Sequence, residues 1–350
     1  MKKALSLFGL LAILSCKTEI KTPASSPLSK NRGVIADSAM VVSARKEASK
    51  IGLSILKQGG NAFDAMVATE MALAVAYPFA GSLGGGGFMV YRKANGETGA
   101  LDFREKAPMA ATKTMYQDEN GKVIPEKSRL GGLAVGIPGN VAGIFAVHEK
   151  FGSMPMEEIL APVIELARTG YAITENQQRS FERHQDIFIE INKDTILYAL
   201  PYSAGDTIKN LALANTLERI AQNGRKEFYK GETAEKLVAY LQEKGGIITM
   251  EDLAAYEAKW RNPIRFKYGD LTVISMSPPS SGGIVLAQIM QMVEPYPIDE
   301  YGHNALKTVQ VMTEAERRAY ADRSFYLGDP DFVDIPIEIL TSEDYLHNRM

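Results

Sequence analysis

Between residues 43 and 56 the apolar side chains of Ala44, Ala48, Ile51 and Ile55 recur at helical spacing, with Arg45, Lys46 and Lys50 between them. That pattern predicts an amphipathic helix with the basic residues turned outward, stopped by Gly59-Gly60. Asn61 is suited to cap a second helix over 62–76, which is apolar nearly all round and is therefore expected to be buried. Asp64 and Glu70 within it argue against a membrane span, and Tyr77-Pro78 closes it. A glycine-rich run, 81–87, then leads into 88–92, which reads as a strand. Ala94-Asn95-Gly96 is a hairpin turn signal, and 98–103 reads as the partner strand. The hairpin places Arg104 at the end of the second strand, beside the glycine run that starts the first.

Further on the pattern becomes more helical. Residues 156–168 and 233–244 carry helical spacing, and Gly245-Gly246 stops the second. Thr249 opens a cap-like start to a helix over 253–258, and 271–274 reads as a strand. Pro278-Pro279-Ser280-Ser281-Gly282-Gly283 precedes an apolar helix over 284–293, and 305–320 is another long helix. Strands and helices are mixed, with no internal repeat, which predicts one α/β or α+β body over 35–350.

The N-terminus follows a different logic. Lys2 and Lys3 precede an apolar stretch, 4–14, too short to cross a bilayer, which needs about 20 apolar residues. It ends at Ser15-Cys16, which resembles a bacterial lipoprotein signal: a signal peptide over 1–15 and a lipid on Cys16. Polar residues with Pro23 and Pro27 follow, so 16–34 reads as a flexible tether standing off a membrane. Cys16 is the only cysteine, which excludes an internal disulfide and any multi-cysteine metal site. Lys and Arg total 39 against 42 Asp and Glu, without a long run of one sign, so no basic face for nucleic acid is expected.

The glycine run does not read as a phosphate loop, because the order is helix, glycines, strand and no Gly-Lys-Ser/Thr follows. It reads as a tight turn, or as a loop whose backbone closely approaches a ligand or partner segment. Arg104 offers a planar fork suited to a carboxylate, or to pairing with Asp102 or Glu105. Ser280 and Ser281 lack the surroundings of a serine-hydrolase elbow, and Ser281 reads as a helix cap. His148, His184, His303 and His347 are scattered without the spacing of a metal pair, and no metal site is expected. Asp322-Arg323-Ser324 and the 328–332 segment around Asp329-Pro330-Asp331 read as a helix exit and a turn.

Six segments, in order, resemble the γ-glutamyltransferases: 57–65, the GGGGFM of 84–89, the DFREKAP of 102–108, the GIPGNVAG of 136–143, the PPSSGG of 278–283, and 321–323 with 326–332. The resemblance covers about residues 33–345. It implies an α+β fold, the N-terminal-nucleophile hydrolase αββα sandwich, shared between a large and a small subunit cut from one precursor. It implies a large-subunit part here, acting on glutathione and other γ-glutamyl donors, with water, amino acids or dipeptides as acceptors. The nucleophile would be the N-terminal threonine of the small subunit, expected downstream of Met350, so no catalytic residue is assigned in this chain. No cofactor is expected. Arg104 stands at the position that binds the donor's α-carboxylate, and Glu105 is a possible support. A glutaryl acylase of the same superfamily and a lipid-anchored, non-catalytic scaffold are the alternative readings. The protein is expected at the cell envelope, exported and lipid-anchored through Cys16.

Overall fold

The computed structural model describes residues 33–350. The expected signal peptide, Cys16 and most of the expected tether lie outside the described residues. Residues 33–40 carry no helix or strand and fall outside the compact unit, which runs from Val41 to Met350.

In the compact unit, α1 (Lys46–Lys57) begins one residue after Arg45 and packs along α2 (Ala62–Ala76). Asn61 caps α2 as expected. Its Oδ1 accepts from the Phe63 and Asp64 amides, while Asp64 Oδ2 accepts from the Asn61 amide at 2.9 Å. Val67, Ala68, Met71, Ala72, Val75 and Ala76 are almost fully buried, so the all-round apolar pattern correctly marks a helix covered on all sides. Truncating one of its larger side chains, such as Met71, to alanine costs about 2–5 kcal/mol in such a position.

The predicted hairpin forms as β1 (Gly87–Arg92) and β2 (Thr98–Phe103), antiparallel in the register Gly87↔Phe103 to Arg92↔Thr98. Gly96 takes a φ of 88° in its turn, and Asn95 Oδ1 accepts from the Glu97 amide. The chain then builds a helical layer from α3 (Asn140–Phe151), α4 (Met156–Thr169), α5 (Glu175–Asn192), α6 (Leu211–Asn223), α7 (Arg225–Lys230), α8 (Glu232–Glu243) and α9 (Met250–Ala254). A two-residue ladder, β3 (Tyr171–Ala172) with β4 (Thr207–Ile208), sits within it. The main core draws buried side chains from α1 to α9 and from β2, β3 and β4. Afterwards β5 (Lys259–Arg261) returns to pair with the free edge of β2, giving the order β1-β2-β5.

The C-terminal part adds the hairpin β6 (Ile264–Tyr268) and β7 (Leu271–Ser275), then α10 (Gly282–Val293), α11 (Ile298–Tyr301), α12 (Leu306–Tyr326), α13 (Ile337–Leu340) and α14 (Glu343–Arg349). Ile264, Ile284 and Leu340 form one apolar cluster there, and Val285, Val293, Ala315 and Ala319 another.

Three local expectations are corrected. The helix after Thr249 is α9, Met250–Ala254 rather than 253–258: Thr249 and Asp252 close a capping box that starts it at Met250, and it ends at Ala254. Tyr256 therefore lies outside the helix and turns inward. Ser281 occupies the N-cap position of α10, but its hydroxyl accepts from Arg323 Nε at 3.0 Å instead of from the helix backbone. Arg45 is buried rather than turned outward: its guanidinium bonds Gln177 and the Ala172 carbonyl and pairs with Glu47.

Candidate functional site

β2 delivers its last residue, Phe103, into the core, so the next residue emerges where the strand ends. Arg104 and Glu105 are both exposed. The main chain of Arg104 is fixed at both polar groups: its N–H donates to Asp102 Oδ1 at 3.1 Å, and its carbonyl accepts from the Tyr256 hydroxyl at 2.8 Å. The guanidinium has no hydrogen-bond or ion-pair partner among the described residues. Of the pairings open to it by sequence, Asp102 is taken. Arg261 on β5 donates to Asp102 Oδ2 from Nε at 2.9 Å, and its Nη2 lies 2.8 Å from the same oxygen in an ion pair. Glu105 makes no ion pair with Arg104 among the described residues and lies over Gly85.

The glycine run proves to be a close backbone approach. A Cβ on Gly86 would sit 2.5 Å from the Phe103 carbonyl oxygen and 2.7 Å from the Glu105 amide. Only glycine fits there. From the other side, a Cβ on Gly139 would overlap the Phe103 carbonyl and the Tyr256 hydroxyl. The two glycine segments are joined to each other as well: the Gly85 carbonyl accepts from the Gly139 and Asn140 amides, both at 2.9 Å, and Asn140 Nδ2 donates to the Ser82 carbonyl at 2.7 Å. Lys106 and Ile137 exchange backbone hydrogen bonds across the same seam. Thus 81–87, 102–108 and 136–140, separate in sequence, converge around Arg104.

Behind this seam Tyr256 stacks on Tyr229 at 5.8 Å between ring centroids, and Tyr229 donates to the Pro138 carbonyl. Burial pushes both phenols well above their usual range, so both stay neutral donors. The 328–332 segment reaches the same place: Asp331 pairs with Lys259 and, at 3.5 Å, with Arg261. The Lys259 ammonium and the Arg261 charge hold the Asp331 carboxyl below its usual range. Asp329 keeps the expected turn, accepting from the Asp331 amide at 3.0 Å.

The other sequence candidates lie elsewhere. Ser280 Oγ accepts from the Gly282 amide, and Ser281 belongs with Arg323 on α12. His148 bonds the Met154 carbonyl, His184 the Ser180 carbonyl and His303 the Asn304 amide, while His347 rides on α14. No group of three His, Cys, Asp or Glu able to hold a metal is found among the described residues, and no helix there is long and apolar enough to cross a membrane. Sequence reasoning missed Tyr256 and Arg261. Neither has a local signal, since each acts on a residue more than 150 positions away.

The surface at Arg104 presents a guanidinium without a partner among the described residues on a fixed backbone, an arrangement that can pair with a carboxylate. Comparison with known proteins places the chain in a family. The family model for gamma-glutamyltranspeptidase matches residues 48–350. The chain is 43% identical over 341 residues to the glutathione hydrolase proenzyme of Escherichia coli, a match covering 95% of this chain and 59% of the relative. It therefore spans about three-fifths of that relative's length. Among solved structures it resembles the gamma-glutamyltranspeptidase of Helicobacter pylori with a TM-score of 0.88 and 43% identity, covering 91% of this chain and 92% of that one. The gamma-glutamyltranspeptidase of Pseudomonas nitroreducens complexed with L-DON gives a TM-score of 0.84 at 40% identity, covering 90% of this chain and 94% of that one.

Proposed function

The chain belongs to the gamma-glutamyltranspeptidase family, and from that membership we propose that it is the large-subunit part of a glutathione hydrolase that binds the donor's α-carboxylate through Arg104. The α+β, N-terminal-nucleophile hydrolase fold of that family is the fold of this chain. The reading rests above all on the exposed guanidinium of Arg104, without a partner among the described residues and held by its backbone at the end of β2.

In the proposed reaction the γ-glutamyl amide is attacked by the N-terminal threonine of a small subunit, whose own α-amine takes the hydroxyl proton. The amine product leaves with a proton, and a γ-glutamyl ester remains on the threonine. Water, an amino acid or a dipeptide then resolves it. Arg104 orients the donor by two parallel hydrogen bonds to the α-carboxylate, at a distance from the bond that breaks. Glu105 supports the same surface. Nothing in this chemistry calls for a cofactor. In this reading the nucleophile belongs to the small subunit rather than to this chain. We place the protein at the bacterial cell envelope, exported and lipid-anchored at Cys16, with the small subunit as its partner. Cys16→Ser is expected to leave the membrane fraction, and a variant that fractionates like the parent refutes the anchor.

The donor site is tested in the enzyme completed with its small subunit. Arg104→Ala is expected to raise the donor KM by about 30-fold or more, the equivalent of about 2 kcal/mol for a charge-assisted pair. Arg104→Lys should recover only part of this, because an ammonium lacks the planar fork. An unchanged donor KM in the alanine variant overturns the assignment.

A further inference from the structure

We infer that Asp102 and Tyr256 are positioning residues that clamp the main chain of Arg104, and that Arg261 keeps Asp102 from capturing the Arg104 guanidinium. This inference rests on the donor-binding role proposed above for Arg104.

Arg104 is exposed, and a long exposed side chain aims no better than the backbone that carries it. Here that backbone is held at both of its polar groups by side chains from the protein interior. The Asp102 carboxylate, 6% exposed, accepts from the N–H, and the Tyr256 hydroxyl, on a residue 2% exposed, donates a hydrogen bond to the carbonyl. A carboxylate two residues before an arginine is also its natural competitor. An uncompensated Asp102 would draw the guanidinium toward itself and compete with a donor carboxylate. Arg261 removes that competition by pairing with Asp102 Oδ2, with one hydrogen bond from Nε and Nη2 at 2.8 Å, which leaves Oδ1 for the Arg104 N–H. Asp331 in turn faces Arg261 at 3.5 Å and also pairs with Lys259, so opposite charges alternate from the 328–332 turn through β5 to β2. The β-ladder fixes the spacing, because Asp102 is the register partner of Lys259 and Ala100 that of Arg261. The glycines at 86 and 139 pack the same segment from its two sides, so little movement is left except through these two hydrogen bonds.

The inference separates positioning from general structural support, because a residue that acts through the Arg104 side chain has nothing to act on once that side chain is gone. Tyr256→Phe keeps the ring and its stack on Tyr229 and deletes only the hydroxyl; Asp102→Asn keeps the shape and deletes the charge. Measured in the two-subunit enzyme, each variant is expected to raise the donor KM roughly tenfold and to change kcat by less than about threefold. On an Arg104→Ala background, neither is expected to raise the donor KM by more than about twofold. Arg261→Ala should also raise the donor KM, and adding Asp102→Asn to it should recover part of the loss by removing the competing charge. Should Asp102→Asn fail to fold, Tyr256→Phe carries the test. Single variants with a parental donor KM, or effects that add fully to Arg104→Ala, overturn the inference while leaving the donor role of Arg104 standing. An Arg104→Ala enzyme with a parental donor KM removes the donor role itself, and the inference with it.

Discussion

At the residue scale, Arg104 and Arg45 show what local pattern carries and what it omits. The position of Arg104 at a strand end beside the glycine run follows from an alternating hairpin with Asn95-Gly96 at its turn, so it is legible in the sequence. Its freedom from Asp102 is not legible, because Arg261, 159 residues later, decides it. Arg45 fails for the same reason. On a helical wheel it belongs with Lys46 and Lys50, yet it leaves the helix and reaches Gln177 on α5, 132 positions away. The guanidinium lies 5.3 Å from the Tyr171 ring centroid and bonds the Ala172 carbonyl of β3, so it ties the entry of α1 to a distant layer. Arg45→Ala leaves Glu47 and Gln177 without this partner and is expected to cost about 3 kcal/mol of stability. A urea unfolding midpoint indistinguishable from that of the parent contradicts this account of Arg45.

At the scale of one element, α2 carries two acids with opposite responses to pH. Burial alone would raise Asp64, but hydrogen bonds from Ser153 and the Asn61 amide outweigh it and hold the carboxyl below its usual range. Since the folded pKa lies below the ordinary value of 3.8, its stabilisation is present above that pH and is lost as pH falls through the folded pKa. Asp64→Asn should therefore cost about 1 kcal/mol at neutral pH and progressively less in acid. Glu70 has the reverse sign. Burial raises it, the Asn140 side chain opposing only in part. The stability it contributes is present below 4.5 and is lost as pH rises through the higher folded pKa. Glu70→Gln is thus expected to raise the melting temperature at neutral pH, with an advantage that fades in acid. Melting curves of both variants between pH 3 and 8 check the two signs; equal responses refute the assignment. The sequence reading treated both acids only as an argument against a membrane span. The cap of Asn61 was legible, whereas the half-buried setting of Glu70 depends on how Asn140 packs against the helix. Short ladders were lost for a related reason: two residues of β3 and two of β4 are too few for alternation to register.

At the scale of the molecule, the converging segments explain why scattered glycine motifs act together. They form one seam around Arg104, joined through Gly85, Gly139 and Tyr256. A mixed α+β body was legible from the alternation of strand and helix patterns, but the return of β5 to the edge of β2 was not. Three residues between a short helix and a second hairpin carry little period of their own. The C-terminal part leaves large apolar side chains in solvent. Leu306, Val309 and Met312 on α12 are exposed, with Phe325 at 81% and Phe332 at 85%. A chain that presents such side chains tends to associate or to recruit cover. The purified chain by itself is expected to self-associate at micromolar concentration and to bind an apolar dye such as ANS. A monodisperse monomer without dye binding contradicts that expectation. The central claim is the reading of a donor α-carboxylate by Arg104, and the most direct measurement is a cross of enzyme and substrate. In the two-subunit enzyme, p-nitroaniline release is measured from γ-glutamyl-p-nitroanilide and from the same donor with its α-carboxylate replaced by a carboxamide. The parent should favour the carboxylate donor in kcat/KM by about 30-fold or more, and Arg104→Ala should lose most of that preference by slowing on the carboxylate donor alone. A preference that survives intact in Arg104→Ala would mean that another group reads the carboxylate.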